Sequence, residues 1–321
     1  MKKITALLLE LLMLAGVLAG CGKQNDTNKT DKLSIVTTIF PEYDWVREIL
    51  GDKADSAEIT MLLDKGVDLH SYQPTADDII KLSDCDLFVY VGGESDGWVD
   101  DALKSAANKD RKVINLLEVL GDSVKEEETV EGMQEEEEDH EEKEYDEHVW
   151  LSLKNAKTLV GAISAALQEI DPDNKDTYAA NADAYVQKLS ALDAEYQKAV
   201  SAGTYKTLLF GDRFPFRYLV DDYGLSYYAA FAGCSAESEA SFETVSFLAR
   251  KVDEGKLPCV LTIEGKNHKI AETVVQNTAG KNQKILTMDS MQSTTSQDVA
   301  NGTTYLSLMT KNLDVLKEAL G

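Results

Sequence analysis

The feature that most constrains the fold is an alternation of short β-rich runs with helical stretches, which occurs in two successive sets. Each run has five to seven residues and is rich in β-branched, aliphatic and aromatic residues, and the stretches between suit amphipathic helices. This alternation predicts mainly parallel sheets covered by helices, and therefore an α/β fold with two lobes. The predicted strands are residues 33–38, 58–63, 87–91, 112–116, 207–211, 225–231, 259–263 and 284–289.

One long helix is predicted between the two sets. Apolar residues recur at spacings of four and three from Tyr178 to Ala199, which places them on a single face of a helix over residues 174–202. We therefore expect an N-terminal lobe over residues 33–173, this rigid connecting helix, and a C-terminal lobe over residues 203–321. A rigid connection favours a small closure of the lobes, and the cleft between two such lobes is a preferred place for a ligand.

The charge of the chain favours cations as ligands. The 321 residues include 57 acidic and 32 basic side chains, a formal net charge of −25, which excludes most proteins that bind a nucleic-acid backbone. The acidic residues are densest over residues 125–147, where there is little apolar surface to bury. We therefore expect a disordered acidic insertion over residues 122–147, in which His140 suggests a minor role in gathering metal ions.

The N-terminus predicts export from a bacterial cytoplasm. A basic start and an apolar run end in the letters LAGC at residues 18–21, which is the pattern of a lipoprotein signal peptide over residues 1–20. Cys21 would then carry the lipid that anchors the protein to the outer side of the cell membrane. An ordinary signal peptide with an incidental cysteine is the alternative. The polar residues 21–32 are expected to form a flexible tether.

Three further cysteines lie in the body of the chain, without a CxxC pair that would favour a zinc finger or a thioredoxin-like site. Outside the cytosol, Cys234 and Cys259 are candidates for a disulfide bond. Cys85 lies beside a β-rich run, which is typical of a small buried residue.

Two of the four histidines are candidate metal ligands. His70 follows a predicted strand and precedes a predicted helix, so it is expected at the carboxyl edge of the first sheet, where α/β folds bind ligands. His148 lies where the acidic segment meets the next helix. A single histidine in a loop is usually solvated, but two that converge on one cleft favour a metal site built from imidazole and carboxylate groups.

Several stretches of the sequence resemble the metal-binding lipoproteins of bacterial zinc and manganese ABC importers, solute-binding protein family 9 of cluster A-I. They cover nearly all of the mature chain in order and read GVDLHSYQPTADD, DEHVWLSLKNA, DPDNKDTYAANADAYVQKLSALDAEY and KILTMDS. The resemblance implies that His70, His148 and Asp289 ligate the metal. It also implies that the protein delivers a divalent metal to a membrane permease. The chain lacks a P-loop motif, so the ATPase is expected to be a separate subunit.

The sequence departs from this family at the third ligand. A His or Glu of the family is replaced by Arg213 in the stretch FGDRFPFRYLVDDYGL, and arginine cannot ligate a metal. Either three protein ligands and water complete the site, or another side chain substitutes. The candidates for that substitution are Asp212, Glu264 and His268. In the simpler interpretation, Arg213 is a cleft residue paired with Glu237 or Glu239.

These observations predict a zinc-binding lipoprotein of an ABC importer that is monomeric and is not an enzyme. Two imidazoles with one or two carboxylates suit Zn²⁺, but they would also hold Mn²⁺. The alternatives are a manganese importer component and a surface adhesion lipoprotein whose metal site is altered or lost. An extracellular metallohydrolase is a further rival, for which the sequence offers neither an H-E-x-x-H motif nor a nucleophile elbow.

Overall fold

The computed structural model describes residues 32–134, 144–235, 239–265 and 267–321. Two parallel four-stranded sheets, each covered by helices, confirm the predicted α/β fold with two lobes. Every predicted strand forms, within three residues of its expected bounds. The strands are β1 Ser34–Thr37, β2 Glu58–Met61, β3 Leu87–Tyr90, β4 Lys112–Asn115, β5 Thr207–Arg213, β6 Ser226–Phe231, β7 Cys259–Thr262 and β8 Lys284–Thr287.

Both sheets have the same topology. The strand order is β2-β1-β3-β4 in the first lobe and β6-β5-β7-β8 in the second. The inner strands β3 and β7 are buried along their whole length, because helices cover both faces of a parallel sheet. In each lobe the second strand is added on one side of the first strand, and the third and fourth strands are added on its other side. The crevice outside the carboxyl ends of the strands at this change of side is where such sheets bind ligands.

The helices fill the space around the two sheets. None of the helices in the described part of the chain combines the length and apolar character needed to span a membrane. The α-helices are α1 Phe40–Leu50, α2 Ala76–Asp84, α3 Val99–Ser105, α4 Leu116–Leu120, α5 Leu153–Ile170, α6 Lys175–Ala202, α7 Arg217–Tyr223, α8 Phe242–Gly255, α9 Lys269–Asn277, α10 Ser296–Ala300 and α11 Tyr305–Leu320. Short 3₁₀ segments are Gly51–Ser56, Leu69–Ser71, Gly121–Ser123, Val149–Leu151 and Pro172–Asn174.

The predicted connecting helix is α6, and its apolar face is buried against α5, α1 and α11. Within that face, the Tyr196 hydroxyl donates to the carbonyl of Met309 over 2.6 Å. The last helix also contacts the first lobe, since the Tyr305 N–H donates to Asp44 over 2.9 Å. The lobes therefore share helices and a continuous apolar core, which favours a small relative movement over a wide hinge.

The expected disorder over residues 122–147 is wrong at both ends of that segment. Residues 125–134, which we call the strap, pack against the C-terminal lobe, and residues 144–147 lead directly into the buried His148 region. Residues 135–143, including His140, lie outside the described residues.

Apolar and backbone contacts hold the strap in place. Its Met133 side chain is 7% exposed, and the Gln134 N–H donates to the carbonyl of Ala230 over 3.0 Å. The Gln134 side chain in turn accepts a hydrogen bond from Ser241 N–H over 2.7 Å. The end of the strap is therefore fixed to β6 and to the start of α8.

Cations on the C-terminal lobe explain why an acidic segment can pack there. Glu128 pairs with Arg217 over 3.1 Å, and Glu131 pairs with Lys251 over 3.3 Å. The disorder prediction rested on the acidic charge and the low apolar content of the segment itself. It had no access to the basic side chains that the fold brings to it from about 90 to 120 residues away in sequence.

Truncation of Met133 tests whether the strap is docked in solution. We expect Met133→Ala to lower the free energy of unfolding by about 2 kcal/mol, because a buried methionine side chain loses its packing. Urea unfolding at one pH measures this, with Glu131→Gln as the control. That variant breaks only an exposed ion pair and should change stability by less than about 0.5 kcal/mol. Equal stability of Met133→Ala and the wild type would show that the strap is detached.

Candidate metal centre

The two predicted histidine ligands meet in the structure. The Nε2 atoms of His70 and His148 are 3.2 Å apart, although the residues are 78 positions apart in sequence. Together with Cys234, they form a group in which one nitrogen or sulfur atom from each residue lies within 4.8 Å of the others. The described residues form no other group of at least three such side chains at this spacing.

Local structure fixes the orientation of His70. It lies in the 3₁₀ segment Leu69–Ser71, in the loop after β2, and the Asp68 carboxylate accepts a hydrogen bond from its N–H over 3.1 Å. The hydroxyl of Ser95, in the loop after β3, lies 2.8 Å from its Nδ1 atom. The imidazole therefore presents Nε2 at the carboxyl edge of the first sheet, as the sequence predicted.

His148 is fixed by a single carboxylate. Oδ1 of Asp146 accepts a hydrogen bond from the His148 N–H over 2.8 Å and lies 3.0 Å from its Nδ1 atom. The imidazole is fully buried, and the indole of Trp150 packs beside it with ring centroids 5.2 Å apart. This arrangement holds the ring with Nε2 pointing at His70.

The hydrogen bonds select the form of each ring that can bind a metal. The Asp146 carboxylate can only accept a proton from Nδ1 of His148, and the Ser95 hydroxyl is able to accept one from Nδ1 of His70. With both protons on Nδ1, the two neutral rings direct their Nε2 lone pairs into the same space. Without a metal, one proton between the nitrogens relieves the repulsion of these lone pairs. Burial and the positive charge of His148 lower the pKa of His70 to about 3. Burial also lowers the pKa of His148, but nearby carboxylates, Asp146 foremost, raise it overall.

Buried carboxylates surround the two rings. Oε1 of Glu147 accepts a hydrogen bond from the Ser95 N–H over 2.9 Å, and its Oε2 lies 3.5 Å from His70 Nδ1. Burial raises the pKa of Glu147 and that of the strap residue Glu127. This concentration of acidic groups in a low-dielectric region favours a dication over an anion.

Cys234 is the member of this group that the sequence analysis assigned elsewhere. The predicted disulfide between Cys234 and Cys259 is wrong, because both are free cysteines and Cys259 is buried in β7. The disulfide prediction rested on the number of cysteines and on a location outside the cytosol, and neither gives the distance between the two sulfur atoms. The position of Cys234 just after a predicted strand was the available signal for the site. The prediction for Cys85 is confirmed, since it is completely buried.

Asp289 and Glu264 form a second acidic pair outside the 4.8 Å group. Burial and the charge of Glu264 raise the pKa of Asp289 to about 6. Its Oδ1 accepts a hydrogen bond from Met291 N–H over 2.8 Å, while Glu264 accepts bonds from the backbone and hydroxyl of Ser290. Trp150 connects this pair to the histidines, because its indole N–H donates to the Ser290 carbonyl over 2.9 Å. Ligation by Asp289 stays a prediction.

Arg213 has a partner that the sequence analysis did not consider. One of its nitrogens lies 2.6 Å from Oδ2 of Asp68 in the other lobe, and a second donates to the Ser235 carbonyl over 3.3 Å. The expected pairing with Glu239 is therefore replaced by an ion pair across the cleft; Glu237 lies outside the described residues. The reason is that the loop carrying His70 places Asp68 directly opposite the end of β5.

Asp212 and Glu264 line a cleft of about 370 Å³ together with Arg213 and Asp68, whereas His268 is not among its lining residues. The Asp212 carboxylate accepts hydrogen bonds from the N–H groups of Arg213 and Ile263, at 2.9 and 3.3 Å. His268 precedes α9, and its Nδ1 atom is buried without a hydrogen-bond partner among the described residues. Neither belongs to the group formed by His70, His148 and Cys234.

Comparison with known proteins identifies the family. The model described as ZnuA, zinc-uptake complex component A, periplasmic, matches residues 35–319. The chain is 33% identical over 324 aligned positions to the zinc-binding lipoprotein AdcA of Streptococcus pneumoniae serotype 4. That alignment covers 99% of this chain but 61% of AdcA, so the chain spans less than two thirds of that relative. It is also 32% identical to the high-affinity zinc uptake system protein ZnuA of Bacillus subtilis, over 95% of this chain and 94% of that protein.

Solved structures agree with this result. The Zn(II)-bound ZnuA-like domain of Streptococcus pneumoniae AdcA superposes with a TM-score of 0.70 at 31% identity, covering 90% of this chain and 99% of that domain. The metal-dependent lipoprotein YcdH of Bacillus subtilis gives a TM-score of 0.72 at 29% identity, with 90% and 99% covered. Sequence and topology thus lead to one conclusion: the chain belongs to the ZnuA family of periplasmic zinc-uptake components.

Proposed function

We propose that this protein captures Zn²⁺ outside the cytoplasm and delivers it to an ABC permease that works with a separate ATPase subunit. The observation that carries the proposal is the pair of Nε2 atoms 3.2 Å apart, with Nδ1 of His70 beside a hydroxyl and Nδ1 of His148 beside a carboxylate. Zn–N bonds of about 2.05 Å to both nitrogens would meet at an angle of about 100°, close to the tetrahedral value. The two rings therefore fit zinc without a change in their separation.

Capture requires the ion to replace a proton between the two imidazoles. The surrounding carboxylates attract the dication, and Asp289 from the C-terminal lobe is our proposed acidic ligand. Trp150 lies between the histidines and Asp289: its ring packs on that of His148, and its indole N–H donates to the carbonyl of Ser290, the residue after Asp289. A small closure of the lobes would bring the Asp289 carboxylate to the metal. The movement is expected to be small because the lobes share a packed core.

The comparisons support zinc as the cargo. The relatives AdcA and ZnuA are named for zinc binding and zinc uptake, and one of the superposed structures is Zn(II)-bound. The family supplies the substrate-binding part of an uptake complex, which supports transport rather than catalysis. We further propose that the protein is a monomer held at the outer face of the membrane by a lipid on Cys21.

Calorimetric titration of the purified metal-free protein tests this function. We expect one Zn²⁺ to bind per chain, with much weaker binding of Mn²⁺. Cells that lack the gene should also take up less labelled zinc when the external supply is limiting, and the wild-type gene should restore uptake. Failure of Zn²⁺ to bind at micromolar concentrations would overturn the proposal. Normal zinc uptake in the deletion strain would overturn the transport role while leaving zinc binding intact.

A further inference from the structure

We propose that Cys234 is the third protein ligand of the metal, so that the site presents two imidazoles and one thiolate. This inference rests on the proposed function of zinc capture and assigns the ligand that Arg213 cannot supply. It accounts for a cysteine that lies beside two histidines in a cleft and forms no disulfide bond.

The distances fit such a site. One atom each of His70, His148 and Cys234 lies within 4.8 Å of the others. A tetrahedral zinc ion with bonds of about 2.05 Å to nitrogen and about 2.3 Å to sulfur needs about 3.6 Å between Sγ and each nitrogen. A displacement of about 1 Å, within reach of a χ1 adjustment, brings the sulfur into place.

The chain next to Cys234 is built for a close approach to His148. A Cβ atom on Gly233 would lie 3.1 Å from Cε1 and Nδ1 of the His148 ring and 2.9 Å from the carbonyl oxygen of Phe214. A glycine at this position therefore lets the backbone lie against the imidazole. On the other side, the Cys234 N–H donates to the Glu127 carboxylate of the strap over 2.9 Å. Both contacts place the backbone that carries the thiol beside the ring.

Arg213 acts here as a positioning residue. Its guanidinium donates to the carbonyl of Ser235, the residue after Cys234, and pairs with Asp68, two residues before His70. One side chain therefore ties the segment that carries the thiol to the segment that carries the first imidazole. Arg213 therefore does not ligate the metal. It stands where the family has a ligand and instead positions the cysteine that we propose as the ligand.

The chemistry of this ligand set has a consequence for selectivity. Zn²⁺ replaces the thiol proton, forming a Zn–S bond and releasing H⁺ to solvent. A thiolate favours zinc and softer metal ions and is a poor ligand for Mn²⁺, which prefers oxygen. Cys234 would therefore strengthen discrimination against manganese in a cleft that is otherwise rich in carboxylates.

Co²⁺ substitution provides the direct test, because a thiolate bound to Co²⁺ gives a charge-transfer band in the near ultraviolet, separate from the visible d–d bands. We expect the wild type to show both, and Cys234→Ser to lose the charge-transfer band and bind Zn²⁺ at least 10-fold more weakly. Cys259→Ser, which removes a different free thiol, should keep the band and the affinity. Visible bands without the charge-transfer band in the wild type would overturn the proposal for Cys234 while leaving metal capture intact.

A measurement on the wild-type protein covers the case in which Cys234→Ser misfolds. Zn²⁺ should slow the alkylation of Cys234 by a maleimide at least 10-fold, as read by peptide mass spectrometry. Equal alkylation rates with and without bound zinc would count against a Zn–S bond. If neither Co²⁺ nor Zn²⁺ binds at all, the proposed function itself has failed.

Discussion

Replacing His148 with alanine is expected to weaken zinc binding more than 100-fold. Zinc sites in proteins provide about 12 kcal/mol of apparent binding free energy, so one of four ligands accounts for about 3 kcal/mol, or slightly more than two powers of ten in affinity. No neighbouring side chain can take the place of this imidazole, since it is completely buried and its orientation is fixed by Asp146 and Trp150. Competition with a chelator of known affinity measures the change.

His268→Ala is the matched control for this experiment. His268 was also a candidate ligand in the sequence, but it lies outside the group formed by His70, His148 and Cys234. Its removal should change zinc affinity less than threefold. A large effect of His268→Ala together with a small effect of His148→Ala would move the site to the C-terminal lobe. Urea unfolding of both metal-free variants checks that the fold is retained.

The variant Asp44→Asn is expected to be more stable than the wild type at pH 8, with the advantage disappearing below pH 4. Asp44 is 5% exposed between α1 and α11, and burial raises its pKa from 3.8 to about 7. A carboxyl whose pKa is raised by folding contributes its full stability below pH 3.8 and loses it as the pH rises toward 7. The difference between the two proteins should therefore grow by about 4 kcal/mol over this range.

Asparagine is chosen because its side-chain oxygen can still accept the hydrogen bond from the Tyr305 N–H. Asp52→Asn, at an exposed position next to the end of α1, controls for the loss of one negative charge from an acidic protein. Unfolding free energies at pH 4, 6 and 8 give the comparison. A constant difference between Asp44→Asn and the wild type across these pH values would mean that folding does not raise the pKa of Asp44.

Much of the fold could be predicted from the sequence because its signals are local. Each strand of the two sheets lies in a short run rich in β-branched, aliphatic or aromatic residues, and the face of α6 from Tyr178 to Val200 follows the helical period. These patterns depend on neighbours a few residues apart, so they survive without any knowledge of the tertiary structure. By contrast, the sequence did not predict that the two lobes have the same strand order, because the pairing of parallel strands joins distant parts of the chain.

The histidines of the site were also accessible from the sequence. His70 and His148 stand out in a chain with four histidines: His70 follows a predicted strand, and His148 lies where the acidic segment meets the next helix. Loops after parallel strands gather at one edge of the sheet, which predicted the position of His70, and two loop histidines that could converge on one cleft favoured a metal site. The pairing of Arg213 with Asp68 could not be anticipated in the same way, because 145 residues separate them and many carboxylates were available.

The sequence by itself determined the α/β architecture, the long connecting helix and the two imidazoles, because periodicity and residue chemistry are properties of short segments. Only the tertiary structure decided that Cys234 lies beside His148 rather than in a disulfide bond and that the strap packs on the C-terminal lobe. Both outcomes depend on which distant groups share a buried space. For the strap, the burial of Met133 and the backbone bond to Ala230, with the partly exposed pairs to Arg217 and Lys251, offset the tendency of acidic residues to remain in water.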